Sequence, residues 1–148
     1  QNPELLILDD FSLGLDPGYR RLFVDYLRDY ARSENKTVFL TSHIIQDMER
    51  LIDDCIIMDY GSILIQQPIE TLMKGLRKYT CTVPEGYQPQ LPVTCYHPAV
   101  IRQTLETYSF LPPSDVEGLL KENQVPFTGL QHENVGLEDA FIGLTGKY

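Results

Sequence analysis

No apolar run in the 148-residue chain approaches the roughly 20 residues that span a bilayer. Cationic residues are scarce as well: 12 Lys and Arg stand against 21 Asp and Glu, a formal net charge of −9. General nucleic-acid binding draws its affinity from cationic groups that displace counterions, so this balance argues against it. A site for one Mg2+-complexed phosphate is a different matter, because a handful of residues defines it locally. Cysteine is sparse too. Cys55, Cys81 and Cys95 are odd in number and form no Cys-x-x-Cys pair, which reads as reduced intracellular thiols. A zinc site drawn from Cys81, Cys95, His97 and His132 would need spacings that match no established pattern. The chain opens Gln1-Asn2-Pro3, without an initiator Met or a signal-peptide pattern. What is present is an ordinary globular composition, 43 % hydrophobic and 22 % charged, which excludes disordered, collagenous and low-complexity classes.

Leu5-Leu6-Ile7-Leu8 runs into Asp9-Asp10, and four consecutive apolar residues predict a strand buried on both faces. Asp16-Pro17 predicts a helix start, with Asp16 as N-cap and Pro17 in the first turn, where its missing N–H costs nothing. Leu22, Phe23, Tyr26, Leu27, Tyr30 and Ala31 fall in pairs four apart, the pattern of a helix face packed on a sheet. Thr37–Thr41 reads as a second strand ending at Ser42-His43, and Ile44, Ile45, Met48, Leu51 and Ile52 as a second amphipathic helix. Cys55–Asp59 and Ser62–Ile65 around Tyr60-Gly61 read as a hairpin, followed by a short helix from Pro68 to Gly75. The alternation β-α-β-α-β-β-α predicts an α/β layer with parallel strands.

Beyond Lys78 the texture changes to Pro-punctuated pieces, with strands expected at Tyr79–Val83 and Val93–Tyr96 and a helix from Pro98 to Tyr108. Ser114-Asp115-Val116-Glu117 reads as a capping box, Val125–Leu130 as a strand, and Leu137, Ala140, Phe141 and Leu144 as a last amphipathic helix. These features divide the chain into an α/β part, residues 1–77, and a small α+β appendage, residues 78–148.

Carboxylates at the C-terminal end of a buried parallel strand sit where open α/β sheets bind ligands. The run from Leu5 through Asp9-Asp10-Phe11-Ser12-Leu13-Gly14-Leu15-Asp16-Pro17 closely resembles the Walker B and D-loop segment of ABC transporter ATPases. Thr41-Ser42-His43 resembles the same family's switch-histidine block, one helix and one strand further on. Leu137-Glu138-Asp139-Ala140-Phe141 is similar to the helix that ends many subunits of the drug- and polysaccharide-export branch.

The resemblance implies a partial P-loop NTPase (RecA-like) parallel sheet and assigns roles. Asp9 would hold Mg2+ through a water, and Asp10 would polarise the attacking water as general base. His43 would reach the γ-phosphate of ATP. Asp16 would face a partner subunit across the nucleotide, and Ser12 falls in the same nucleotide-binding stretch. Two departures stand out. Asp10 replaces a glutamate, so its carboxylate falls about 1.5 Å short, and Phe11 replaces a proline in the turn that aims it. A misplacement near 1 Å costs on the order of 10²-fold in rate.

No Gly-x-x-x-x-Gly-Lys-Ser/Thr loop and no Leu-Ser-Gly-Gly signature occurs in the chain. The expectation is therefore the C-terminal half of an ATP-binding subunit, inactive by itself. The complete protein would hydrolyse ATP with Mg2+ and drive export through a membrane permease subunit. It would pair with a second ATP-binding subunit and lie in the cytoplasm against the inner face of the cell membrane. The alternative is a non-catalytic nucleotide-sensing or regulatory module with a degenerate base. The family's strand order also leaves a slot between Thr37–Thr41 and Cys55–Asp59. That slot is closed either by direct pairing of those strands or by a strand-swapped dimer, and the dimer is expected.

Overall fold

The computed structural model describes residues 3–11, 13–46 and 48–146. It is an α/β chain with eight strands and four α-helices among the described residues. The chain divides into two compact units, Gln1–Ile52 and Asp53–Tyr148. The 77/78 boundary read from the sequence falls inside the second unit, within the strand that begins at Arg77.

In the first unit, β1 (Leu5–Asp9) and β2 (Thr37–Thr41) form a two-stranded parallel sheet joined by α1 (Pro17–Ser33). Their register is Leu5↔Thr37 through Asp9↔Thr41, which brings the two C-terminal strand ends side by side. The helix starts as the sequence predicts: Asp16 Oδ1 accepts from Gly18 N at 2.9 Å and Tyr19 N at 3.1 Å. Its buried stripe is different. Arg20, Val24 and Leu27 are buried, whereas Leu22 is 66 % exposed.

The strands also depart from expectation. Along β1 and β2 exposure alternates, and Leu5, Ile7 and Phe39 share an open face on which Ile7 is 70 % exposed. The apolar run is thus half-covered, one face exposed and the other partly buried. Among the described residues, the helix expected over Ile44–Ile52 reduces to a single turn of 3₁₀ helix at Met48–Arg50. The segment opens with Ile44-Ile45, two β-branched residues whose restricted χ1 lowers helix propensity.

The second unit opens with an antiparallel hairpin, β3 (Asp54–Asp59) and β4 (Ser62–Pro68), closed at Tyr60-Gly61. Both turn residues have positive φ, 45° and 78°, the requirement of a two-residue hairpin turn. Helix α2 (Ile69–Gly75) follows as read from the sequence. Among the described residues β2 pairs with β1, and β3 pairs with β4, each inside its own unit.

The remainder is a four-stranded antiparallel sheet in the order β6-β7-β5-β8, from β5 (Arg77–Thr82), β6 (Tyr96–Ile101), β7 (Thr104–Ser109) and β8 (Thr128–Asn134). Residues 98–108, expected as a helix, are instead the β6–β7 hairpin, turning at Arg102 with φ 59°. Val93–Tyr96 is mostly turn, and only Tyr96 enters a strand. Strand β8 begins at Thr128, later than the expected Val125, because Pro126 lacks a ladder donor. Helix α3 (Pro113–Glu122) is capped by Pro112 without a side-chain bond, so the Ser114 capping box does not form. Pro113 takes the first helical position and moves Ser114 one residue inward.

Helix α3 buries Val116 and Leu120 in a core with Tyr79, Cys81, Val83, Leu105 and Val125. Helix α4 (Leu137–Thr145) lies against β6 and β7, where Gly143 faces the Tyr108 ring so closely that a Cβ would meet it at 2.5 Å. Gly146 caps this helix in the left-handed region, and His97 Nε2 donates to Leu144 O at 3.1 Å. All three cysteines are unbridged and buried, and burial pushes each thiol up from its ordinary range.

Candidate functional site

Parallel pairing of β1 with β2 sets four polar side chains around the two C-terminal strand ends. Asp9 and Thr41 are register partners on the same open face, and the Thr41 hydroxyl donates to Asp9 Oδ1. The chain then turns sharply. Asp10 takes φ 47°, in the left-handed region, and Leu13 N donates to Asp10 O at 3.1 Å to close the turn. Aspartate tolerates this conformation better than most residues.

The Asp10 amide donates to Thr41 O at 3.0 Å and lies 3.2 Å from Thr41 Oγ1. Its carboxylate reaches across to the loop after β2. His43 Nδ1 donates to it, 2.8 Å from Oδ1 and 2.9 Å from Oδ2. With Nδ1–H committed to Asp10, Nε2 is the ring nitrogen left for a ligand. The side chain of His43 is well exposed, so that ligand has access.

Two further contacts hold the loops. Phe11 packs on Phe23 of α1 with ring centroids 5.3 Å apart, an anchor for the turn at the position where proline was expected. Arg20, nearly fully buried on the same helix, donates from Nη2 to Gln46 Oε1 at 3.1 Å, three residues beyond His43. Its Nε has no partner among the described residues. Arg50 Nη2 donates to Asp25 at 2.8 Å, tying the 3₁₀ turn to α1 as well.

Of the residues singled out in the sequence, Asp9, Asp10 and His43 therefore meet at one place. Asp16 lies on the same connection as the α1 N-cap, with its side chain bonded to backbone amides. Ser12 lies outside the described residues. Sequence reasoning passed over Thr41, whose role depends on the β1–β2 register, and over Arg20 and Gln46.

No group of three or more His, Cys, Asp or Glu among the described residues is arranged to hold a metal ion. Asp9 offers a single carboxylate, one oxygen of which already accepts from Thr41. That donor set fits Mg2+, which keeps most of its waters and takes one or two carboxylates beside substrate phosphates. It does not fit an all-protein cage. No described helix is long and apolar enough to cross a membrane.

No family model matches the chain. The Nod factor export ATP-binding protein I of Ralstonia nicotianae is 32 % identical over 157 aligned residues, covering 99 % of this chain and 48 % of that protein. The energy-coupling factor transporter ATP-binding protein EcfA2 of Clostridioides difficile is 42 % identical over 62 residues, 42 % of this chain and 22 % of that protein. The bacitracin transport ATP-binding protein BcrA of Bacillus licheniformis is 39 % identical over 77 residues, 52 % of this chain and 25 % of that protein. Paired carboxylates at the end of β1 and a histidine in the loop after β2 accompany this similarity. Along nearly its whole length the chain is similar to ATP-binding proteins of ABC transporters. It spans about half the length of the whole-chain relatives it matches.

Proposed function

We propose that β1, α1 and β2 are part of a P-loop NTPase core, and that the complete protein hydrolyses ATP to drive export through a separate membrane subunit. What supports this reading is the meeting of Asp10 and His43 beside Asp9 at adjoining parallel strand ends. In it, Asp9 holds Mg2+ through a water, and Asp10 orients and polarises the attacking water. His43 presents Nε2 to the γ-phosphate while Asp10 fixes its ring. Asp16 faces a second ATP-binding subunit and keeps its capping role. Mg2+, when bound, neutralises charge that develops on the phosphates. Export is the direction given in the name of the whole-chain relatives. A permease partner places the protein in the cytoplasm, peripheral to the membrane.

Phosphate release by the complete protein tests the reading. Steady-state hydrolysis of Mg2+-ATP is expected. Saturable nucleotide binding with no phosphate release overturns it in favour of a nucleotide sensor.

The strand-exchanged dimer of the present chain belongs to the same proposal. It is supported by β2 and β3 each having a single strand partner among the described residues, an edge open to another chain. Light scattering should give twice the 17.0 kDa of one chain. A monodisperse monomer at high concentration removes the dimer and leaves the assignment of the site intact.

A further inference from the structure

We propose that Thr41 is the positioning residue of the carboxylate pair, with one hydroxyl setting both the Asp9 side chain and the Asp10 backbone. The inference rests on the reading of Asp9 and Asp10 given above. A threonine hydroxyl has one proton to donate and two lone pairs to accept with. The proton of Thr41 Oγ1 goes to Asp9 Oδ1, which leaves Oδ2 for a metal-bound water. A lone pair faces the Asp10 amide at 3.2 Å, and the same amide donates to Thr41 O at 3.0 Å.

That shared amide is the last backbone group held before the chain enters the left-handed region at Asp10. Non-glycine residues stay there only when their surroundings hold them. The position of the Asp10 carboxylate, and of His43 bonded to it, thus follows from a residue on the neighbouring strand. Groups that orient metal-binding carboxylates in this way typically matter by 10- to 100-fold in metal affinity.

Thr41 is exposed on the last position of β2, so Thr41→Val keeps the shape and the strand preference and removes only the hydroxyl. Thr41→Ser keeps the hydroxyl. Thr37→Val, on the same face four residues earlier and paired with Leu5, is the control.

Two measurements test the proposal. In the 1H–15N spectrum of the chain, Thr41→Val should displace the Asp10 amide signal and speed its hydrogen exchange by about fivefold, the loss of one modest hydrogen bond. Thr41→Ser should restore both, and Thr37→Val should change neither. In the complete protein, Thr41→Val should raise the Mg2+ concentration for half-maximal hydrolysis by roughly 10- to 100-fold with a smaller change in KM for ATP. An Asp10 amide that stays in place in Thr41→Val overturns the proposal, and so does an unchanged Mg2+ requirement. If the wild-type protein releases no phosphate, the functional reading fails by itself, and the amide measurement alone decides the role of Thr41.

Discussion

Asp10→Glu should raise the ATP turnover of the complete protein, by up to the order of 10²-fold. The wild-type carboxylate is drawn against His43, with both oxygens within 2.9 Å of Nδ1. A glutamate carries its carboxylate about 1.5 Å further, far enough to bond His43 and still meet a water on a γ-phosphate. The turn itself is well supported, by the Asp10 O to Leu13 N bond and by Phe11 against Phe23. Side-chain length is therefore the variable that the substitution isolates. Phosphate release under saturating Mg2+-ATP is the measurement. A rate that stays level or falls means that the Phe11 anchor has already moved the turn forward to suit the shorter acid.

Leu120→Ala should destabilise the second unit by about 2–5 kcal/mol. Leu120 is 1 % exposed and packs among Tyr79, Cys81, Leu105 and Val116, so truncation leaves a cavity in the middle of the α3–sheet core. Whole domains are stable by only about 5–15 kcal/mol, and the urea midpoint should drop by about 1 M or more. Leu22→Ala, on the open side of α1, should move the midpoint very little. Equal losses from the two substitutions would contradict the burial pattern of α1 and place Leu22 in a core.

That contrast shows where the sequence was readable. Asp16-Pro17 marked the start of α1 correctly because a cap is a local interaction. The buried stripe of α1 was misread because Leu22 and Tyr26 have the right spacing and yet stay exposed. Which face is covered is a tertiary fact. The β6–β7 hairpin was mistaken for a helix on Ile101, Leu105 and Tyr108, a spacing that fits a helix. Yet Val100, Ile101, Thr104 and Thr107 are β-branched, and Pro98 suits an edge strand, so the local preferences pointed to strands. Asp9, Asp10 and His43 were legible through their motif. Thr41 became visible only once Asp9↔Thr41 register was known, because no one-dimensional pattern specifies which residues of two parallel strands face each other.

Helix α1 has more than one attachment to the site. Through Phe23 it holds the turn that carries Asp10, and through Arg20 it holds the loop that carries His43. The acid and the histidine are thus mounted on a common beam whose N-terminal end is pinned by Asp16. The Asp10–His43 bond thus joins two segments that are each anchored to the same helix.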